Sequence, residues 1–428
     1  MRKRNETAMN WEVAGVTKNS FIQLESSDGG SFKAYMAKPE KGSGPGLVLL
    51  QEIFGINEYM KSMADHFAEE GYVVLVPDLF WRMEPDVSLG YSEEDFGKAF
   101  GFYRNFDVDK AIEDVNSTIR HMRSMDSVAG RVGALGYCLG GKLAYLTAAR
   151  TDIDCAVSYY GVAIEDALNE GANISCPMVF HFAELDKFAP PEAVEKIRTE
   201  FKDRNDFEFY DYPGVDHAFA THGRDSYDKP SAMMAYSRSL SLLRKVLGPI
   251  YDLSHLWDMH CHHEFATRDV HATMKTMVAE PYVNHIPTMT GGVGQKHLSR
   301  FYKHHFVDAN PADTRLVPIS RTIGTDRLVD EMLFCFTHDM EIDWMLPGIA
   351  PTGKYVEIPL VAIVNFRGDK LYHEHIYWDQ ASVLVQIGVL DSKGLPVAGR
   401  ETAAKLVDET LPSNELMANW ASSEGKAV

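Results

Sequence analysis

The sequence predicts two domains of different fold class, an α/β domain followed by an α+β domain. A chain of 428 residues is too long for one compact core and is typical of two domains. The first half alternates short apolar runs with helical patterns, whereas the second half has helical patterns followed by successive long strands. The pattern changes at "LGPIYDLSH" (247–255), so we expect domains at residues 1–250 and 251–428.

The first half reads as strand, helix, strand in repeated order. The apolar runs are "GLVLL" (46–50), "YVVLVP" (72–77), "RVGALGY" (131–137), "CAVSYYG" (155–161), "PMVFHFA" (177–183) and "FEFYDY" (207–212). Helical patterns lie among them at 57–70, 107–124, 139–150, 191–203 and 230–247. This alternation predicts a mostly parallel, doubly wound sheet covered on both faces. The Gly-Gly turn in "SFIQLESSDGGSFKAYMAKP" (20–39) predicts a hairpin before the parallel core.

The second half carries helical patterns at 250–265, 268–279 and 294–305. Long strands are predicted in "DRLVDEMLFCFTHDMEI" (326–342), "YVEIPLVAIVNFRGDKLYHEHIYWD" (355–379) and "SVLVQIGVL" (382–390). Helices followed by consecutive strands predict an α+β domain with a curved antiparallel sheet.

Composition excludes several classes of partner. A net charge of −19 repels phosphate backbones and anionic lipid, so we expect neither nucleic acid nor membrane as a partner. Met1–Arg4 is basic, but no apolar segment follows, which argues against a signal peptide. No stretch approaches the roughly 20 apolar residues that span a bilayer. Five scattered cysteines without CxxC spacing indicate reduced thiols in a cytoplasmic protein.

One cysteine lies in a motif that can carry chemistry. Gly136-Tyr137-Cys138-Leu139-Gly140 has the spacing of a nucleophile elbow, G-x-S-x-G, with cysteine at the serine position. Such a turn places the sulfur at a helix N-terminus, where partial positive charge favours thiolate. Taken alone, Cys138 is equally well a small residue packed at a glycine-rich turn.

Two later residues complete the order of a catalytic triad. An α/β-hydrolase places nucleophile, acid and histidine in that order along the chain. Here Asp186 follows the apolar run 177–183, and His217 lies in the glycine-containing loop "YPGVDHAFATHGR". His217 would take the proton of Cys138, and Asp186 would orient the imidazole. Taken singly, each residue has a simpler interpretation, Asp186 as a helix cap and His217 as a polar loop residue. The order of all three along the chain favours the triad.

These motifs resemble the dienelactone hydrolase (carboxymethylenebutenolidase) family. The matching stretches are "QEIFG" (51–55), "DLFWR" (78–82), "GYCLGG" (136–141) and "DHAFA" (216–220). The resemblance implies an α/β-hydrolase fold, a Cys138–His217–Asp186 triad, and hydrolysis of a small lactone or ester without a cofactor. It also implies an oxyanion hole formed by the backbone amides of Leu139 and Ile53.

The resemblance implies further roles near the substrate. Glu52 would hold the resting Cys138 away from the histidine, although it is otherwise an ordinary strand-end glutamate. Arg82 would bind a substrate carboxylate, with Trp81 and Tyr137 beside the substrate. A second family arginine, four residues after the histidine, is replaced here by Thr221. Arg224 lies close by but out of register, which weakens the case for dienelactone itself.

Residues 255 to about 390 resemble the SnoaL-like branch of the nuclear-transport-factor-2-like superfamily, a cone of sheet and helices around one cavity. The resemblance is carried by "LWDMHCHHEFATRDVHATMKTM" (256–277), "RTIGTD" (321–326) and "PTGKYVEIPLVAIVNFRGDKLYHEHIYWDQ" (351–380). Strand alternation puts one set of polar side chains on a single face, which we take as the cavity face. The set is His373, His375, Tyr377 and Asp379, whereas Glu374 and Trp378 share the opposite face. The four residues of the set are candidates for acid–base chemistry, and a structural cone used for dimerisation is the favoured alternative.

Histidines near residue 260 suggest a metal site. On a helix, His260 would share a face with His263 or Glu264. No distal ligands with metal-like spacing are apparent, so we expect no metal.

The leading hypothesis is therefore a cysteine-dependent hydrolase of a small anionic lactone or ester, present as a cytoplasmic homodimer. An isomerase, dehydratase or cyclase with its chemistry in the C-terminal cavity is the second. A non-catalytic binding or dimerisation protein is the third.

Overall fold

The computed structural model describes residues 17–427 and divides into two compact units, one ending at Tyr251 and one beginning at Asp252. The basic start, Met1–Arg4, on which the expectation of no signal peptide rests, lies outside the described residues. Within the described chain, no helix combines the length and apolar character that crossing a membrane requires.

The N-terminal unit is built on an eight-stranded sheet. Its strands are β1 (Thr17–Glu25), β2 (Ser31–Lys38), β3 (Gly44–Leu50), β4 (Val73–Pro77), β5 (Val128–Tyr137), β6 (Cys155–Tyr159), β7 (Met178–Ala183) and β8 (Phe207–Tyr212). They lie in the order β1-β2-β4-β3-β5-β6-β7-β8. The β1–β2 and β2–β4 pairs are antiparallel, and every pair from β4 to β8 is parallel. The predicted hairpin and parallel core are both present.

Helices connect these strands and begin at residues suited to capping. They are α1 (Glu58–Glu69), α2 (Glu93–Arg104), α3 (Val108–Ser124), α4 (Leu139–Arg150), α5 (Pro191–Glu200) and α6 (Lys229–Leu247). Asn57, Asp107 and Asp228 each accept a backbone N–H of the first helical turn of α1, α3 and α6. The sequence analysis missed α2, because only Ala99 in it is buried and its apolar stripe is weak.

The core of this unit positions the site. Every residue of β3, β4, β6 and β7 is buried, as expected for parallel strands covered on both faces. The parallel strands end at the same edge of the sheet, where ligands bind in open α/β folds. Loops that follow β3, β5, β7 and β8 therefore meet there.

The C-terminal unit combines helices with a six-stranded sheet. Its helices are α7 (Leu253–Cys261), α8 (Val270–Lys275), α9 (Gly294–Phe301), α10 (Gln380–Gln386) and α11 (Glu401–Val407). Its strands are β9 (Met277–His285), β10 (Thr290–Val293), β11 (Arg315–Ile323), β12 (Arg327–Thr337), β13 (Tyr355–Arg367) and β14 (Lys370–Trp378). The order is β10-β9-β14-β13-β12-β11, with β9 and β14 parallel and the other pairs antiparallel.

Two predicted elements of this unit were wrong. Residues 382–390 were predicted as a strand, but α10 occupies Gln380–Gln386 because the Asp379 carboxylate accepts the Ala381 N–H and caps it. The predicted helix 268–279 ends at Lys275, and β9 begins at Met277. A short apolar run does not by itself distinguish a strand from a buried helix.

Candidate active site

Cys138 lies in the tight turn between β5 and α4. Its backbone has φ 56° and ψ −115°, a conformation that non-glycine residues rarely adopt. A Cβ on Gly136 would lie 1.9 Å from the carbonyl oxygen of Gly140, and one on Gly140 would lie 2.2 Å from that of Leu50. The elbow therefore requires glycine at both positions, because the neighbouring backbone carbonyl groups leave no room for a Cβ atom.

His217 and Asp186 come from the loops after β8 and β7 and meet as a hydrogen-bonded pair. His217 Nδ1 lies 2.7 Å from Asp186 Oδ2, and both side chains are buried. The second carboxylate oxygen of Asp186 accepts the backbone N–H groups of Phe188 at 2.7 Å and Ala189 at 3.1 Å. With Nδ1 turned to the carboxylate, Nε2 of His217 is the ring nitrogen left for another partner.

That partner is Cys138. Burial lowers the pKa of His217, but the charge of Cys138 and hydrogen bonds to Asp186 and Cys138 outweigh burial and raise the pKa to about 10. The structure thus brings together the three side chains that the sequence predicted as a triad. The raised pKa favours an imidazolium paired with the sulfur at neutral pH.

Two backbone amides that follow strands β3 and β5 are available to a ligand. Leu139 is the first residue of α4, so its N–H has no acceptor within the helix. Ile53 lies in the turn after β3, and within residues 17–427 neither its amide nor that of Leu139 donates to another protein group. These are the two amides that the sequence analysis assigned to the oxyanion hole.

Glu52 is a buried carboxyl group close to His217. The Thr221 hydroxyl donates to Glu52 Oε1 at 3.2 Å, whereas Oε2 has no hydrogen-bond partner among the described residues. Burial raises the pKa of Glu52, and the charges of Arg224 and His217, together with the Thr221 bond, oppose that rise. Protonation of Glu52 removes a negative charge that would compete with the thiolate for the imidazolium.

Thr221 has a defined place in this network. Since its hydroxyl donates to Glu52, it accepts from the Tyr160 hydroxyl, 2.9 Å away. The ring of Tyr160 lies edge-on to His217, with centroids 5.0 Å apart. In the sequence, Thr221 stands out only as the position where the second family arginine is absent. Hydrogen bonds between hydroxyl groups require no fixed residue spacing, so this network could not be predicted.

Arg224 is the arginine that the structure brings to this site. Its guanidinium stacks over Phe54, Tyr91 and Phe96 at 5.5, 5.2 and 4.9 Å from the ring centroids. Its charge is the largest effect that lowers the pKa of Glu52. Within the described residues it forms no ion pair, so its donors are available. The guanidinium is held by three aromatic residues that are distant from it in sequence. The sequence alone therefore could not show that Arg224 lies at this site.

Arg82, predicted to bind a substrate carboxylate, is engaged elsewhere. Its guanidinium bonds to the fully buried carboxylate of Asp114 and lies 2.9 Å from both Asp28 Oδ2 and Ser26 Oγ. Trp81 joins the same network, with its indole N–H donating to Asp114 at 2.9 Å. None of these partners belongs to the cluster around Cys138, and the ion pairs occupy the donors that a substrate would need.

Tyr137, also predicted beside the substrate, is buried beneath the elbow. Its ring packs against Tyr59, Tyr159 and Tyr160 at centroid distances of 5.6, 4.6 and 6.2 Å. Only 1% of its surface is exposed, so it supports the turn as packing rather than contacting a ligand.

The cavity face predicted for β14 was the wrong one. Buried residues of the strand are Leu371, Glu374, Ile376 and Trp378, and Tyr377 is exposed. His375 lies on the same outer face, and Asp379 caps α10. Glu374 and Ile376 line the cavity instead. A register argument fixes which residues share a face but not which of the two faces is covered.

Comparison with known proteins finds relatives of the first half of the chain. The model of the dienelactone hydrolase family matches residues 32–247. A putative carboxymethylenebutenolidase of Azospirillum brasilense is 40% identical over 230 residues, covering 53% of this chain and 99% of that protein. The carboxymethylenebutenolidase of Pseudomonas putida is 33% identical over 223 residues, covering 52% and 94%. A solved structure, a putative dienelactone hydrolase from Klebsiella pneumoniae, has 23% identity and a TM-score of 0.48, covering 54% and 100%.

The family match covers half of the chain and holds Cys138, Asp186 and His217 within its bounds. The Azospirillum protein is matched along almost its whole length. The chain therefore belongs to the dienelactone hydrolase family and is an enzyme of the lactone and ester hydrolase class.

Proposed function

We propose that the protein opens a lactone or cleaves a small ester through Cys138 as nucleophile, with His217 and Asp186 as its acid–base partners. The observation that carries the proposal is the buried His217–Asp186 hydrogen bond, together with the effect of Cys138 on the pKa of His217, at an elbow whose backbone holds the sulfur in place. The arrangement has the nucleophile, base and orienting group that covalent acyl transfer requires.

The first half of the reaction forms an acyl-enzyme. The Cys138 sulfur attacks the carbonyl carbon, and the charge on the carbonyl oxygen is stabilised by the amides of Ile53 and Leu139. As the carbon–oxygen bond breaks, the His217 imidazolium gives its Nε2 proton to the departing alkoxide. Asp186 keeps the ring oriented and stabilises its charged form. In a lactone the released alcohol stays attached to the acyl group.

The second half regenerates the enzyme. Neutral His217 takes a proton from water, the hydroxide attacks the thioester carbon, and the sulfur leaves as thiolate. The products are a carboxylic acid and an alcohol, joined in one molecule when the substrate is a lactone. No cofactor takes part in any of these steps.

Glu52 tunes the charge at His217 in this proposal. A charged Glu52 would compete with the thiolate for the imidazolium, and burial counteracts that competition by favouring the neutral carboxyl. Cys138 already raises the pKa of His217 in this structure, so we assign Glu52 this electrostatic role rather than the withdrawal of the thiol implied by the family.

Selectivity for an anionic substrate is assigned to Arg224. Its guanidinium is held by three aromatic rings and is free of ion pairs within the described chain, so it offers planar donors to a carboxylate. This assignment replaces Arg82, whose donors are occupied.

We expect Arg224→Ala to raise KM for a carboxylated ester by roughly 10- to 100-fold, because one charge-assisted contact is lost. KM for a matched neutral ester should change by less than about threefold. Steady-state kinetics on the ester pair measures both values. Equal increases for the two esters would assign Arg224 a structural role.

Arg82→Ala is the matched variant for that experiment. Because it leaves the buried Asp114 without its cation, we expect a lower melting temperature, and KM for the carboxylated ester should change no more than KM for the neutral one. A selective loss for the carboxylated ester in Arg82→Ala would return the anion-binding role to Arg82.

For the C-terminal unit we propose a SnoaL-like α+β fold. This is supported by helices that precede a six-stranded sheet and by one cavity lined mainly with apolar side chains. Cyclase or isomerase chemistry by His375, Tyr377 and Asp379 is not proposed, because these residues do not line that cavity. Self-association as a homodimer through this unit stays a prediction. A reducing, cytoplasmic location is proposed from the five unpaired cysteines.

Alkylation tests the nucleophile and the activity together. Burial raises the pKa of the other four thiols, that of Cys176 to about 11, so they hold little thiolate at neutral pH. Iodoacetamide should therefore label Cys138 first, and ester hydrolysis should disappear at the rate of that labelling. Peptide mapping by mass spectrometry, sampled alongside activity, measures both rates. Activity that survives complete labelling of Cys138, or that follows labelling of Cys155, would remove the assignment.

A further inference from the structure

Three ligating side chains converge in the interior of the C-terminal unit, outside the site described above. They are His260 at the end of α7, Glu264 in the following turn, and Glu374 on the inner face of β14. His260 Nε2 lies 3.0 Å from Glu264 Oε1 and 3.3 Å from Glu374 Oε1. One ligand atom from each residue lies within 4.8 Å of the other two, and the side chains are 0–4% exposed.

The local backbone explains how the helix supplies two of the three. After α7 the chain continues as a π-helical turn over His262–Ala266. Such turns are rare and frequently occur at functional sites, because the added residue redirects side chains. His260 and Glu264 are aimed at the same point, where β14 presents Glu374.

The histidine is held with one nitrogen directed at the carboxylates. The Thr276 hydroxyl donates to the Thr273 carbonyl at 2.7 Å, so it must accept from His260 Nδ1, 2.5 Å away. Nδ1 therefore carries a proton, and Nε2 is directed at the two glutamates. Metal-binding histidines are oriented in this way by a partner on the other ring nitrogen.

The two carboxylates are short of hydrogen-bond partners and of compensating positive charge. Glu374 Oε1 has no hydrogen-bond partner in the described part of the chain although it is buried. His260 is the one basic side chain that pairs with either glutamate among residues 17–427. Two buried carboxylates and one imidazole carry excess negative charge, which is costly away from water unless a cation neutralises it.

One side of the cluster is open to a cavity. Glu264 and Glu374 line a small cavity of about 40 Å³, whose other walls are mainly apolar and aromatic, including Trp257, Phe334 and Trp344. Tyr302 also faces it, with its hydroxyl 3.4 Å from His260 Nε2. A cation held by three protein ligands would keep positions for water or a small ligand on the cavity side, as catalytic metal sites do.

We propose that His260, Glu264 and Glu374 form a binding site for one divalent first-row metal cation at the wall of the C-terminal cavity. One imidazole with two carboxylates suits Mn²⁺, Fe²⁺ or Zn²⁺ better than Ca²⁺, which takes oxygen ligands only, or copper(I), which takes thiolates. The sequence places His260 and Glu264 on one helix face but shows no distal ligand by its spacing. That ligand is Glu374, about 110 residues away along the chain, on the strand face wrongly placed outside.

The test uses the full-length protein, stripped with a chelator and titrated with Mn²⁺ or Zn²⁺. We expect one ion bound per chain by calorimetry and elemental analysis, loss of the free Mn²⁺ electron paramagnetic resonance signal, and a melting temperature about 5 °C higher at saturation. Glu374→Gln, which conserves shape, should weaken binding by about 100-fold or more while remaining folded. Glu264→Gln provides a second variant.

His305→Gln is the matched control. It also removes a histidine that pairs with a carboxylate, Asp343 at 2.9 Å, but this pair lies on the surface. Its ion binding should equal that of the wild type. The proposal is overturned if the folded wild type binds no stoichiometric ion. It is equally overturned if Glu374→Gln and Glu264→Gln both bind as tightly as wild type, or if binding is lost in His305→Gln instead.

Discussion

Replacing Cys138 by alanine is expected to lower kcat/KM for a hydrolysed ester by about 10⁴-fold, since the remaining groups can only polarise the carbonyl and orient water. The elbow geometry and the His217–Asp186 pair do not depend on the sulfur, so the variant should fold normally. Stopped-flow and steady-state assays of both proteins with the same ester measure the loss of kcat/KM.

Cys155→Ala is the control for this variant. Cys155 is fully buried in β6, and burial raises its pKa well above the ordinary range. Cys155→Ala should lower the free energy of unfolding, because it leaves a small cavity, but kcat/KM should be nearly unchanged. Turnover by Cys138→Ala within tenfold of wild type would place the chemistry elsewhere.

Gly140→Ala is expected to destabilise the protein by about 3 kcal/mol or more. The added methyl carbon would lie 2.2 Å from the Leu50 carbonyl oxygen and 2.7 Å from that of Gln51, and both are backbone atoms at the end of the buried strand β3. No side-chain movement relieves the overlap, so α4 must shift away from β3 and take the elbow with it. Urea denaturation followed by circular dichroism measures the change in the free energy of unfolding.

Gly97→Ala is the contrasting substitution. Gly97 lies on the exposed side of α2, and a Cβ there meets nothing within 4 Å. Alanine should stabilise the helix by about 0.5–1 kcal/mol. Equal denaturation midpoints for Gly140→Ala and Gly97→Ala would contradict the close packing of the elbow.

The alternation of apolar runs and helical patterns predicted the parallel core because β3, β4, β6 and β7 are buried on both faces and read as continuous apolar runs. The elbow was predictable for a local reason. Gly136 and Gly140 each lie two residues from Cys138, so the motif is visible in the sequence although Gly140 is required by a contact with β3. His217 and Asp186 were predictable from chain order, since parallel strands deliver successive loops to one edge.

Other features depend on contacts between distant segments. Arg224 is held by aromatic rings from the loop after β3 and from α2, a helix that the sequence analysis missed. Arg82 is diverted by Asp114, whose buried carboxylate is invisible in the motif around residue 82. Glu374 was assigned to the outer face because alternation alone does not say which face of a strand is covered. In each case the missing information was a tertiary contact rather than a local pattern.

The most direct test is to look for the acyl-enzyme itself. Protein quenched with acid during turnover of an activated ester should carry the mass of the acyl group, and peptide mapping should place it on Cys138 as a thioester that hydroxylamine removes. Cys138→Ala, quenched in the same way, should carry no added mass and show no turnover. An ester hydrolysed at the wild-type rate with no adduct on Cys138 under any quench time, or with the acyl group on another residue, would contradict the account.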